Sequence, residues 1–111
     1  MRTINAEALN AQLAASEGMT VVNTLSEDAF RAKHIPHSLS APQDRPDFVE
    51  RVEKMTPSKS DPIVVYCGGP SCDSSTQAAQ KLEAAGFTNV YEFEGGMEEW
   101  ETSQFPVEAG T

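Results

Sequence analysis

The stretch IVVYCGGPSCDSSTQAAQKLEAAG, residues 63–86, decides how this chain reads. Ile63 to Cys67 is a short, unbroken apolar run rich in β-branched residues, which predicts a buried strand. Gly68, Gly69, Pro70 and Ser71 then predict a loop. Ser74 or Ser75 opens a helix through TQAAQKLEAAG, and Gly86 closes it. Strand, loop and helix in this order form half of a parallel βαβ unit.

The flanks extend that pattern. DFVERVEKM, residues 47–55, places Phe48, Val52 and Met55 at helical spacing, and TPSKSDP (56–62) is a loop. Ser38 to Ala41 reads as a brief strand. Ser26 caps a helix in SEDAFRAKH, with Glu27 and Asp28 where the dipole favours acids, and Ile35-Pro36 ends it. MTVVN (19–23) is a short buried strand. Before it, Asn5 caps a first helix, with Leu9 and Leu13 four residues apart and Gly18 as its stop. Downstream, NVYEFEGG predicts another strand, MEEWETS a last short helix anchored by Trp100, and Phe105-Pro106-Val107 the final packing. Alternating strands and helices predict an α/β fold: a central, mostly parallel sheet of four to five strands with helices on both faces.

The 111 residues suit one domain, 1–111, with one core. A net charge of −9 repels phosphate backbones and anionic lipid, so neither nucleic acid nor membrane is expected as a partner. The N-terminal stretch lacks the apolar core of a signal peptide. A cytoplasmic protein is expected, with its two cysteines as thiols.

Cys67 stands at the carboxyl end of a strand, where open parallel sheets bind ligands. The next helix points its free N–H groups back at the loop, a placement that favours an anion and lowers a thiol pKa. Gly68 and Gly69 let the backbone curl into an anion nest. Cys72 is either a plain loop residue or a partner for Cys67. Cys67, Cys72, His34 and His37 are zinc-type ligands, but the order is not a finger, and the histidines precede a strand whereas Cys67 follows one. No metal or cofactor is expected. No G-x-S-x-G elbow, phosphate loop or dinucleotide turn occurs. Asn23, Glu94, Gly95, Gly96 and Met97 each follow a strand, and so belong on the same rim as Cys67.

Four segments resemble the single-domain rhodanese family of sulfurtransferases, in a subgroup with a C-x4-C loop. They are VVNTLSEDAFRAKHIPHSLSAP, IVVYC with its loop and helix, TNVYEFEGGMEEW, and FPV; together they cover about 21–107. The resemblance implies a rhodanese-like fold and a transferase that moves a sulfane sulfur through a persulfide on Cys67. Backbone groups of Gly68, Gly69, Pro70, Ser71, Asp73 and Ser74 would cradle that sulfur, with Asn23 and Glu94 at the rim. The implied partners are a small donor (thiosulfate, a thiosulfonate or a persulfide) and a thiophilic acceptor (cyanide, a thiol or a protein thiol). Cys72 would be a resolving thiol that expels sulfide and leaves a disulfide. The family loop, C-x-x-G-x-R-S, is here C-G-G-P-S-C-D-S-S, about two residues longer. Cys72 stands where an Arg is expected, and Asp73 makes the site less welcoming to thiosulfate. Asn23 and Leu25 replace the usual Asp and Arg, and His37 replaces the HIPG glycine. These departures motivate two alternatives: a non-catalytic binding module, and a phosphatase or arsenate-reductase-like enzyme, which would lack its arginine clamp.

Overall fold

The computed structural model describes residues 2–15 and 19–110. Five strands and five helices follow one another as β1 (Arg2–Thr3), α1 (Ala6–Ala15), β2 (Thr20–Asn23), α2 (Glu27–Ala32), β3 (Leu39–Ser40), α3 (Phe48–Met55), β4 (Ile63–Tyr66), α4 (Ser74–Ala84), β5 (Val90–Phe93) and α5 (Gly96–Thr102). The sheet order is β1-β5-β4-β2-β3, and every pairing is parallel. The central strand β4 pairs Ile63 to Tyr66 with Thr20 to Asn23 on one side and with Val90 to Phe93 on the other. All four of its residues are buried, as a strand covered on both faces requires.

Side-chain alternation divides the core into two layers. Val22, Ile63, Val65 and Val90 meet Phe48 and Val52 of α3 and Ala78, Ala79 and Leu82 of α4. Val21, Val64, Tyr66 and Phe93 meet Ala6 and Leu9 of α1 and Met97 and Trp100 of α5. Burying Leu82 alone stabilises the fold by about 1.5–3 kcal/mol. The Trp100 indole N–H donates to Pro106 O at 2.7 Å, tying the tail to the last helix.

The caps follow their residues. Asn5 accepts from the Ala8 N–H at 2.8 Å, and Ser26 from the Ala29 N–H at 3.2 Å. Gly86, at φ 99°, closes α4; its N–H donates to Glu83 O and that of Phe87 to Leu82 O, both at 3.0 Å. This paired pattern needs the left-handed residue that glycine supplies. The expected stop at Gly18 lies outside the described residues. β1 was not expected: Arg2 and Thr3 are exposed and pair with β5 through the backbone, with the Arg2 guanidinium also on the Tyr91 ring and hydroxyl, so they leave no hydrophobic pattern. Among the described residues, no helix is long and apolar enough to cross a membrane.

Candidate active site

Cys67 follows the last residue of β4, and alternation turns it to the α4 side of the sheet, the side of Val65. Gly69 to Cys72 form a turn closed by the Cys72 N–H donating to Gly69 O at 3.0 Å, with Pro70 where proline favours a turn. The turn folds Cys72 back over the first cysteine. The Cys67 Sγ lies 3.4 Å from Cys72 O and 3.5 Å from Ser75 Oγ, so its single S–H has two acceptors in reach. Both cysteines are free thiols; Cys67 is buried and Cys72 half-buried.

Three further bonds hold the loop. The Met97 N–H donates to Cys67 O and the Glu98 N–H to Gly68 O, each at 2.9 Å. The loop carbonyls thus satisfy free donors at the start of α5. The Ser74 hydroxyl donates to Thr24 O at 3.2 Å, fastening α4 to the end of β2.

The glycines work differently from expectation. Gly68 and Gly69 were expected to let the backbone curl, yet neither has a positive φ. A Cβ on Gly68 would meet nothing within 4 Å, whereas one on Gly69 would meet Glu98 Oε2 at 2.7 Å. The glycine that the loop needs is Gly96, at φ 58°, whose Cα packs against Cys67 O and lies where a Cβ would come 2.8 Å from Gly69 N. The Gly95-Gly96 pair therefore does stand on the rim with Cys67.

The thiol's environment also departs from expectation. The sequence predicts a lowered Cys67 pKa. Burial instead pushes it above the ordinary cysteine value, and the neighbouring Cys72 thiol adds to the rise. The Ser75 hydroxyl and backbone N–H pull the other way without overcoming desolvation. The helix start is present, but it acts on a sulfur removed from water, with no cation beside it among the described residues.

Other expected site residues are dispersed. Pro70, Ser71 and Asp73 are exposed along the loop; Asp73 precedes α4 without a side-chain cap bond. Asn23 is wholly buried. Its Nδ2 donates to the Tyr66 hydroxyl at 3.2 Å, and its Oδ1 accepts from the Leu25 N–H at 2.9 Å, so it orders the chain behind the rim. Glu94 is exposed and has no hydrogen bond or ion pair to the loop among the described residues. His34 is stacked on Phe30 at 3.9 Å with Nδ1 bonded to Phe30 O, and exposed His37 takes φ 69°, a left-handed value that suits the glycine it replaces. A cavity of about 420 Å³ lies beside Gly68, with Leu25, Ala29 and Met97 as apolar lining and Lys33, Glu98 and Glu101 among its charged residues.

Two residues at the site escaped the sequence reading. Ser75, 1% exposed, touches the nucleophile candidate, and its hydroxyl donates to Glu92 Oε2 at 2.9 Å. Glu92, 2% exposed, lies on β5 and also accepts from the Thr76 hydroxyl at 2.6 Å. The available signal was an acid inside VYEF, a strand expected to be buried on both faces.

A search of known families matches the rhodanese-like domain across residues 5–103. The chain belongs to the rhodanese-like domain family. This rhodanese-like domain is 32% identical over 98 residues to a protein named thiosulfate sulfurtransferase GlpE from Pseudomonas syringae, covering 88% of this chain and 86% of that protein. A protein of the same name from Pseudomonas entomophila is 33% identical over 100 residues, covering 84% and 79%. Among solved structures, the BH2092 protein from Bacillus halodurans superposes with a TM-score of 0.86 at 32% identity, covering 97% of this chain and 77% of that one. The rhodanese-like fold and a sulfurtransferase of the rhodanese type are thereby established for this chain. The binding-module alternative is not favoured.

Proposed function

We propose that this rhodanese-like domain works as one catalytic unit, residues 1–111, in the cytoplasm, carrying a sulfane sulfur as a persulfide on Cys67. The observation that carries the reading is the placement of Cys67 between the carboxyl end of β4 and the first turn of α4, with Ser75 against its sulfur. A nucleophile so placed takes the outer sulfur of a donor and hands it to an acceptor thiol, splitting one transfer into two easier displacements. The loop of residues 68–74 surrounds the incoming sulfur, and because Cys67 is fully buried, that loop opens to admit the donor.

The donor class follows from charge. The loop holds no Lys or Arg, and Asp73 and Glu98 flank it. Sulfonate oxygens gain no cation from the loop itself, and Lys33 of the cavity beside Gly68 is already paired with Glu101 at 2.8 Å. We therefore favour persulfide and polysulfide donors over the thiosulfate named for the relatives. Cys72 serves as resolving thiol: its attack on the inner sulfur of the Cys67 persulfide expels sulfide and leaves a Cys67–Cys72 disulfide.

Intact-mass measurement after exposure to thiosulfate, a thiosulfonate, glutathione persulfide and polysulfide tests these assignments. The expected result is a gain of one sulfur atom that Cys67→Ser abolishes. No adduct with any of the four donors refutes the persulfide. Two free thiols and no disulfide after a single turnover refute the role of Cys72.

A further inference from the structure

Among the described residues, Glu92 is the only buried acid. Its two hydrogen-bond donors, the Ser75 and Thr76 hydroxyls, both reach Oε2, at 2.9 and 2.6 Å. No Lys, Arg or His among the described residues forms an ion pair with it. A carboxylate withdrawn from water without a cation is an expensive core residue unless something requires it. One of its two donors, Ser75, also touches the sulfur of the proposed nucleophile. Ser75 directs its own proton to Glu92, which leaves an oxygen lone pair toward Cys67 Sγ at 3.5 Å.

We infer that Glu92 is the internal proton acceptor of Cys67, taking the thiol proton through the Ser75 hydroxyl. The inference rests on Cys67 being the nucleophile, as proposed above. Ser75 gives its proton to Glu92 and receives the one from Cys67. Cys67 is then a thiolate accepting a hydrogen bond from Ser75, and Glu92 is a neutral acid. One negative charge has moved from carboxylate to sulfur, so the two never coexist. The thiolate attacks the outer sulfur of the donor. The new S–S bond forms as the donor's S–S bond breaks, and the leaving group departs with the bonding pair. When an acceptor thiolate removes the outer sulfur, Cys67 leaves as a thiolate and recovers its proton from Glu92 through Ser75. Transfer to an acceptor thiol by this route needs no outside oxidant or reductant.

The relay answers the missing cation. A site that cannot hold a thiolate with an arginine can instead make one when needed, from a thiol whose pKa burial has raised. Ser75 lies on α4 and Glu92 on β5, not on the loop that opens, so the relay survives opening. The other titratable groups near the pair are Cys72 from the loop and Glu98 from α5, the latter against Gly69. Arg2 is engaged with the Tyr91 ring and hydroxyl, and Lys81 with Gln43. Glu92 acts through Ser75 and is therefore a positioning residue, whereas Ser75 touches the reacting sulfur.

The test is single-turnover persulfide formation by the full chain across pH, with thiosulfate and inorganic polysulfide as parallel probes and Cys67 read by peptide mass mapping. Iodoacetamide alkylation of Cys67 gives a donor-independent profile. Glu92→Gln and Ser75→Ala are expected to slow both by about tenfold or more near about pH 6, and to converge on wild type near about pH 10, where solvent removes the proton. Ser75→Thr, which keeps the hydroxyl, is expected to recover rate over Ser75→Ala. A Glu92→Gln profile equal to wild type, or faster at low pH, overturns the relay. If circular dichroism shows Glu92→Gln unfolded, the Ser75→Ala and Ser75→Thr pair decides by the same criterion. Persulfide formation surviving in Cys67→Ser overturns the nucleophile assignment. A dead Cys67→Ser beside an unaffected Glu92→Gln overturns the relay alone.

Discussion

Gly96→Ala tests how the rim is held against the cysteine loop. Gly96 has φ 58°, where an L-residue pays about 1–2 kcal/mol. The added Cβ would also meet backbone and not yielding side-chain ends: Cys67 O, Gly69 N at 2.8 Å and Cys67 C at 2.9 Å. Overpacking against atoms that cannot rotate away costs about 1–3 kcal/mol. The sum is a loss of about 2–5 kcal/mol, or a melting point lowered by about 8–20 °C for a domain of this size. The displaced atom is the carbonyl of Cys67 itself, which accepts from the Met97 N–H at 2.9 Å, so the proposed nucleophile moves with it. Urea unfolding of wild type, Gly96→Ala and Gly68→Ala measures this directly. Gly68→Ala is the control: it has no positive φ and nothing within 4 Å of the new Cβ. It should be neutral, or stabilising by about 0.4–1 kcal/mol through the unfolded chain. A Gly96→Ala loss below about 1 kcal/mol, or a Gly68→Ala loss as large as that of Gly96→Ala, refutes the reasoning.

Three other outcomes follow from the same structure. Tyr66→Phe removes a hydroxyl that accepts from the Ile35 N–H at 3.1 Å and from Asn23 Nδ2 at 3.2 Å and shares a 2.8 Å bond with Ser38. Stranding these buried groups should cost about 3 kcal/mol, read as a shifted denaturation midpoint at unchanged slope. His37→Gly relieves the φ of 69° but gains chain entropy in the unfolded state, so a net stabilisation on the order of 0.5 kcal/mol is expected by thermal melting. Burial raises the pKa of both Cys67 and Tyr66. Their stabilisation is therefore complete below the unfolded values, about 8.5 and 10, and is lost as pH rises through the raised folded values. Urea midpoints should fall above about pH 8.5, and Cys67→Ala should remove the first part of that fall; a wild-type midpoint that holds or rises with alkalinity contradicts the burial argument.

Sequence alone determined the elements whose side chains must repeat or punctuate. IVVY is a strand covered on both faces, Ser26 and Gly86 mark helix ends through caps their residue types favour, and Cys67 stands at a strand's carboxyl end before a helix. The same reading matched the glycine that HIPG requires to His37, where the backbone does take a left-handed turn. Tertiary structure decided what depends on approach between distant segments. β1 joins the sheet through backbone bonds that exposed Arg2 and Thr3 do not advertise. Gly96, not Gly68, is the glycine the loop needs, because only packing shows which Cα meets a carbonyl. The Cys67 thiol is raised because desolvation outweighs its donors, a balance that no spacing encodes. Ser75 and Glu92 stand 17 residues apart, and only the α4 and β5 packing places the hydroxyl between acid and sulfur.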